Sequence, residues 1–128
     1  MRSYSQLHPV TIALEEPENH LHPSLQSMLA DMIQDAYSNY GVQFFVESHS
    51  EYLIRKMQLL VAKKKISSDS ISLLYVNPTS RPSYLSMLSD IGIGEDGILK
   101  HEFGSGFFDE SIRLTKELFK STDEINEK

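Results

Sequence analysis

The sequence predicts an α/β fold with a mostly parallel sheet, helices on its faces, and a C-terminal β-hairpin and helix. Short apolar runs rich in β-branched residues alternate twice with longer segments of helical periodicity, and a third apolar run follows. This alternation is typical of parallel sheets covered by helices. After Pro82 the pattern changes to two strand-like segments around a turn.

The first strand–helix–strand unit is the most clearly marked. Residues 10–14 form the first apolar run, and apolar side chains at helical spacing predict an amphipathic helix over about 22–38. Pro23 suits its first turn, where a missing N–H costs nothing. Gly41 is a candidate C-terminal cap, and residues 42–46 form the second apolar run.

The rest of the chain predicts a second helix, a third strand and a C-terminal extension. Ser48 and Glu51 fit a capping box at the start of the second helix, and residues 71–76 form the third strand. Two further segments, 84–91 and 98–103, flank the turn-like GEDG and predict a hairpin. A last helix is expected to begin near Asp109, with a frayed tail STDEINEK. We therefore expect a core over residues 1–82 and an extension over 83–128.

Composition excludes several classes of protein. The 128 residues carry 12 Lys and Arg against 18 Asp and Glu, a net charge of −6, which gives no electrostatic case for nucleic acid or an anionic membrane. The absence of cysteine excludes disulfides and thiolate metal sites. No apolar run approaches the ~20 residues needed to cross a bilayer, and the N-terminus lacks the apolar core of a signal peptide. A cytoplasmic location is expected.

Acidic and histidine side chains follow both of the first two strands. Glu15 and Glu16 end the first apolar run, and His49 follows the second. Ligands of open parallel sheets bind beyond the carboxyl ends of the strands. One carboxylate can hold hydrated Mg²⁺, a second can take a proton from an attacking water, and an imidazole can contact a phosphate. These residues predict a phosphoryl-transfer site.

IALEEPENHLHP followed by VQFFVESHSEYL resembles the second half of an ABC-type ATPase head. The resemblance is closest to bacterial ATPases related to the SMC, RecF and overcoming-lysogenization-defect proteins. It implies a partial P-loop NTPase fold of three layers that uses ATP and Mg²⁺. In that family Glu15 matches the Mg²⁺-associated Walker B acid, Glu16 the general base, and His49 the switch histidine that senses the γ-phosphate. The D-loop region at the dimer interface matches Glu18, Asn19, His20, Leu21 and His22.

The resemblance also implies partners. The segments IGIGEDGILKHEF and GSGFFDES resemble a domain of unknown function that ends many such ATPases. The parent protein is expected to dimerise head to head and to reach nucleic acid, in repair or defence, through its whole assembly. The 128 residues contain no GxxxxGK[ST] loop, no ABC signature before Walker B, and no Q-loop.

The chain is therefore expected to be a C-terminal fragment that needs a Walker A-containing half or partner ATPase chain and is inactive alone. By the family's strand order, strands 42–46 and 71–76 should flank a strand that the chain lacks, which predicts an open sheet edge or gap.

Two other functions stay open. A metal-dependent hydrolase could use Glu18, His20, His22 and His49 as ligands, since residues i and i+2 of an extended loop can converge. The chain could instead be a non-catalytic module that docks on a partner ATPase. The alternative without any function is that Glu15 and Glu16 are solvent-exposed acids in a turn before a helix.

Overall fold

The computed structural model describes residues 10–77, 88–104, 107–108 and 110–126. The chain divides into two compact units: Met1–Ser72 with Gly92–Lys100, and Leu73–Ile91 with His101–Lys128. Both units combine helix and strand, so the chain has the mixed α/β composition that the sequence predicts. The predicted boundary between residues 82 and 83 lies outside the described residues.

The first unit begins with a parallel strand–helix–strand motif. Strand β1 (Thr11–Glu15), helix α1 (Pro23–Tyr40) and strand β2 (Gln43–Glu47) follow one another, and the two strands pair in parallel from Thr11↔Gln43 to Glu15↔Glu47. This register places Glu15 beside Glu47 at the carboxyl ends of both strands. The motif confirms the small parallel sheet and the covering helix.

Helix α1 begins and ends at the residues that the local sequence marks. His22 caps its N-terminus, where Nδ1 accepts the Ser24 N–H at 3.3 Å, and Pro23 is the first helical residue. Gly41 ends the helix in the left-handed conformation with φ 65° and donates its N–H to Tyr37 O. Glycine adopts this φ without a Cβ penalty. The predicted bounds of 22–38 are thus correct to within two residues.

Helix α2 (Glu51–Ala62) begins at a different cap from the predicted one. Ser50, not Ser48, is the N-cap, because its Oγ accepts the Leu53 N–H at 3.1 Å. Ser48 Oγ accepts the Ser50 N–H instead. The Ser48–Glu51 capping box is therefore wrong, since the helix begins too late for Ser48 to reach its orphan donors.

Helices α1 and α2 pack together to form most of the core of the first unit. An ion pair of 3.5 Å between Asp31 and Lys56 joins their surfaces. The buried apolar side chains come from both helices and from the segments that follow them: Ala30, Ile33, Leu53, Leu60, Val61, Ile66 and Ile93. A short 3-10 helix (Ser68–Ser70) precedes the second unit.

Residues 92–100 form a tight turn within the first unit. An isolated antiparallel bridge joins Ile93 and Leu99, and Gly94 N–H donates to Ile98 O at 2.8 Å. Gly97, at φ 83°, lies directly against helix α2, where Gln58 Nε2 donates to Gly97 O at 2.9 Å. The predicted turn at GEDG is present, but residues 98–103 form no strand.

The second unit contains a separate antiparallel sheet and the last helix. Strand β3 (Leu74–Val76) pairs with β4 (Leu88–Asp90). The third predicted strand is therefore shorter than expected and does not belong to the parallel sheet. The predicted hairpin is found in part: β4 pairs with β3 rather than with residues 98–103, but the His101 N–H donates to Ile91 O at 3.1 Å and Ile93 forms an antiparallel bridge with Leu99. Residues 84–87 lie outside the described part.

Helix α3 (Glu110–Asn126) occupies the C-terminal end of the second unit. It extends over most of the tail that was predicted to fray, and its apolar side chains Ile112, Leu118 and Phe119 are more than half exposed. Four aromatic rings pack near its start, with Phe103 and Phe107 stacked at 4.7 Å between ring centroids and Tyr75 and Phe108 at their edges.

Strand β2 is open at one edge and exposed on one face. Among the described residues β2 pairs with β1 alone, so its other edge is open as predicted. Strand β3 belongs to a different sheet, so the predicted position of a missing strand between β2 and β3 stays a prediction. Phe45, on the face of β2 opposite Phe44 and Val46, is 70% exposed. No helix in the described part of the chain is long and apolar enough to cross a membrane.

Candidate active site

Two loops leave the parallel sheet at the same edge. The first, residues 16–22, joins β1 to α1, and the second, residues 48–50, joins β2 to α2. Because the strands are parallel and in register, both loops begin at the carboxyl ends of the sheet. The Glu16 N–H donates to Glu47 O at 2.8 Å and extends the ladder into the first loop.

Glu16 and His49, predicted as the catalytic pair, lie together across these loops. His49 Nε2 is 3.2 Å from Glu16 Oε1, and Asn19 Nδ2 donates to Glu16 Oε2 at 3.0 Å. Both carboxylate oxygens of Glu16 are therefore oriented by a neighbour. The His49 side chain is 76% exposed and that of Glu16 is 38% exposed, so this pair faces solvent and contributes little to stability.

The backbone of the first loop is held in an uncommon conformation. Two overlapping turns form it: the Asn19 N–H donates to Glu16 O at 3.1 Å, and the Leu21 N–H donates to Glu18 O at 3.0 Å. Glu16 has φ 44° and His20 has φ 65°, in the region that non-glycine residues rarely occupy. Backbone strain of this kind concentrates at functional sites, and here it includes the residue whose carboxylate contacts His49.

Glu18 is the buried acid of the site. Its side chain is only 7% exposed, and Oε1 accepts the backbone N–H of His49 at 2.7 Å. The sequence predicted a place for Glu18 in a dimer interface. The structure gives it an intrachain partner in the second loop, which no local pattern could indicate because that partner is distant in sequence.

A second link between the loops passes through helix α1. Ser50 Oγ donates to Gln26 Oε1 at 2.7 Å, and Gln26 Nε2 donates to Leu21 O at 3.0 Å. Ser50 is buried and also caps α2. Sequence reasoning missed both residues, although Gln26, as a polar residue within the apolar stripe of α1, is the one signal that marks this contact.

The proposed metal-ligand set does not form a group. His22 uses Nδ1 to cap α1 and lies 2.9 Å from Ser24 Oγ, and His20 is exposed. The part of the chain that the structure describes includes Glu18, His20, His22 and His49, yet it holds no group of three or more His, Cys, Asp or Glu residues that could bind a metal ion. The described side chains therefore do not form the metal site that the hydrolase hypothesis requires.

Glu15 does suit a Mg²⁺ ion that keeps most of its water. It is exposed at the end of β1, and its strand neighbour in the register is Glu47. Mg²⁺ is usually bound through one or two carboxylates, with water and substrate phosphates as its other ligands. Glu15 lies beside Glu47 in the strand register, and a role for Glu15 in holding Mg²⁺ stays a prediction.

One protein-family model matches part of the chain. Residues 2–54 match the model of an AAA ATPase domain family, a range that covers less than half of the chain but includes both loops. The match supports an AAA-type ATPase, and it includes Glu15, Glu16 and His49. No curated protein and no solved structure matches the chain.

Proposed function

We propose that this chain supplies the hydrolytic part of an ATP-binding head: the Walker B acids and the switch histidine of an ABC-type, SMC- and RecF-like ATPase. Glu16 is the general base that takes a proton from the attacking water, and His49 contacts the γ-phosphate. Glu15 would hold Mg²⁺, which neutralises developing charge on the phosphates when bound. The protein is cytoplasmic, and its parent dimerises head to head.

One observation carries this proposal: Glu16 and His49 lie 3.2 Å apart at the carboxyl edge of a parallel sheet. A base and a phosphate contact must lie within reach of the same water for in-line attack. Asn19 holds the other Glu16 oxygen, which leaves the carboxylate oriented rather than freely rotating. The AAA ATPase match over residues 2–54 supports the same reaction class.

The phosphate-binding loop is supplied by another segment. No GxxxxGK[ST] occurs in the 128 residues, and that loop is what cradles the β- and γ-phosphates in this class. The open edge of β2 suits an added strand. The exposed Phe45 suits a covering helix, because parallel sheets are normally buried on both faces. The 128-residue chain by itself is expected to turn over ATP negligibly.

The test is reconstitution with the polypeptide that supplies GxxxxGK[ST], beginning with the product of the reading frame immediately upstream. ATP hydrolysis and ATP binding are measured for the complex. Glu16→Gln should lower kcat by about 10²–10⁴-fold, the usual contribution of a general base, while ATP binding is kept. The matched control is Glu51→Gln, a half-exposed acid directly after the second loop that pairs with Arg55 and not with His49 in its ion pair of 3.5 Å.

The same complex separates an ATPase from a docking module. The double variant Glu16→Gln with His49→Ala should lose hydrolysis and keep assembly, measured by size-exclusion chromatography with light scattering. An assembled complex that hydrolyses ATP equally well with the double variant would overturn the proposed function. Measurable turnover by the pure chain would contradict the need for a second segment.

A further inference from the structure

Glu18 has a costly position with no evident benefit to stability. Its side chain is 7% exposed, and Oε2 has no hydrogen-bond partner among the described residues. A carboxylate in such a place is unfavourable unless its oxygens are paired. An apolar or neutral side chain would serve the packing better, so the position calls for a reason other than stability.

Glu18 makes a hydrogen bond across the site to the second loop. Oε1 accepts the His49 N–H at 2.7 Å, a length typical of charge-assisted hydrogen bonds. A carboxylate can only accept, so this oxygen specifies a backbone donor at that point of the second loop. The side chain of the same residue, His49, contacts Glu16.

The neighbouring residue of the second loop is fixed by a different link. Ser50 Oγ donates to Gln26 Oε1 and accepts the Leu53 N–H. The start of α2 therefore stays in place without Glu18. Glu18 holds the backbone of His49, whose ring contacts the Glu16 carboxylate. The backbone around Glu18 is constrained as well, because Glu16 (φ 44°) and His20 (φ 65°), on either side of Glu18, both adopt left-handed conformations.

We propose that Glu18 is a positioning residue that sets the distance between Glu16 and His49 by holding the His49 backbone. The inference rests on the proposed roles of these two residues. Glu18 touches neither substrate nor the reacting atoms; it acts through His49. A shift of about 1 Å in a catalytic group can cost about 10²-fold in rate, which is the reason that a buried carboxylate at this position would matter.

The first test uses the full 128-residue chain without nucleotide. In Glu18→Ala, the His49 amide should lose hydrogen-exchange protection by about tenfold or more, as expected for a lost hydrogen bond to a charged group. The Leu53 amide, held by Ser50, should keep its protection. Glu18→Gln retains an acceptor oxygen and should preserve both, with global stability equal to or above that of the original chain, because burying an amide costs less than burying a carboxylate.

The second test asks whether the ring moves with the backbone. In the original chain Glu16→Gln should shift the imidazole Hε1 resonance of His49. In the Glu18→Ala background the same substitution should shift it less, since coupling is lost when the pair separates. If Glu18→Ala does not fold, Glu18→Asp, which is one methylene shorter, replaces it. Equal shifts in both backgrounds, or an unchanged His49 amide, would overturn the positioning role.

A third measurement uses the reconstituted ATPase. Glu18→Ala should lower kcat by roughly tenfold to hundredfold with a smaller change in KM for ATP, and Glu18→Gln should restore most of the rate. The resonance tests need no nucleotide, so their failure concerns Glu18 alone. If the original chain shows the coupling between Glu16 and the His49 ring but its reconstituted complex does not hydrolyse ATP, the result counts against the proposed function and not against the positioning role.

Discussion

The Nε2 atom of His49 lies 3.2 Å from Oε1 of Glu16, although the two residues follow different strands. Parallel pairing in register brings their loops to one edge, and the turn after Glu16 aims its carboxylate back across that edge. The cost of this arrangement is paid in the backbone, where Glu16 adopts φ 44°. That cost can be measured separately from the function of the side chain.

Replacement of Glu16 by glycine should give a more stable protein than replacement by alanine. Both variants lose the carboxylate, but only alanine keeps the Cβ that makes the left-handed region unfavourable by about 1–2 kcal/mol. We expect the free energy of unfolding of Glu16→Gly to exceed that of Glu16→Ala by roughly 1 kcal/mol, after the greater flexibility of unfolded glycine is allowed for.

Chemical denaturation monitored by circular dichroism gives both values. Asp31, within α1, provides the reversed control, since glycine in a helix interior should be less stable than alanine by about 1 kcal/mol. If alanine at position 16 were as stable as glycine, the strain assigned to Glu16 would be absent.

Loss of the Ser50 hydroxyl should destabilise the first unit more than loss of the Ser48 hydroxyl. Ser50 Oγ caps α2 and also holds Gln26, whereas Ser48 Oγ accepts a single N–H from Ser50. Ser50→Ala should cost about 1–2 kcal/mol, at the upper end for an N-cap. Urea denaturation of the two single variants checks this, and the opposite order would restore Ser48 as the cap.

Local signals predicted the elements whose geometry is set locally. Pro23 and Gly41 marked the ends of α1 correctly because each has a backbone preference that acts within one turn. The cap of α2 was predicted two residues too early, since Ser48 and Ser50 are both competent caps and the packing of α2 against α1 decides between them. The bond between Ser50 and Gln26 is part of that packing.

Contacts between distant segments could not be predicted in the same way. The Glu16–His49 pair followed from a resemblance and from the general property of parallel sheets, not from periodicity. The buried contact of Glu18 with His49 has no local pattern at all. The antiparallel pairing of β3 with β4 was missed because strand partners depend on tertiary packing, whereas the GEDG turn indicates only the local antiparallel bridge between Ile93 and Leu99.

A side chain at Gly97 should destabilise the protein. It has φ 83°, and a Cβ would collide with the Gln58 carbonyl oxygen of α2 and press on Ala62. Gly97→Ala should therefore lower the free energy of unfolding by about 1–3 kcal/mol, from backbone strain and from displacement of the turn. The control is Gly94→Ala, where the nearest atom is the flexible Asp96 Oδ1 and a smaller loss is expected. Equal losses would show that the contact with α2 does not matter.

Protonation of Glu110 should weaken the first turn of α3 at a lower pH than is usual for a glutamate. Arg113 Nη2 donates to Glu110 Oε1 at 2.6 Å and Nε donates to Oε2 at 3.0 Å, and these hydrogen bonds lower the pKa of Glu110 while the pKa of Arg113 is raised. A carboxyl pKa that is lower in the folded state means stabilisation that is present above the unfolded-state pKa and is lost as pH falls through the folded-state pKa.

The carboxyl ¹³C resonance of Glu110, followed in a pH titration, measures this shift directly. Arg113→Gln should raise the Glu110 pKa toward its ordinary value. Lys116→Gln should change that pKa much less, because Lys116 lies six residues away on the same helix, beyond the i+3 and i+4 neighbours of Glu110. High salt should reduce the difference in Glu110 pKa between the original chain and Arg113→Gln, since the Glu110 and Arg113 side chains are exposed and their charges are screened. A Glu110 titration that is unchanged by Arg113→Gln would mean that this pair does not persist in solution.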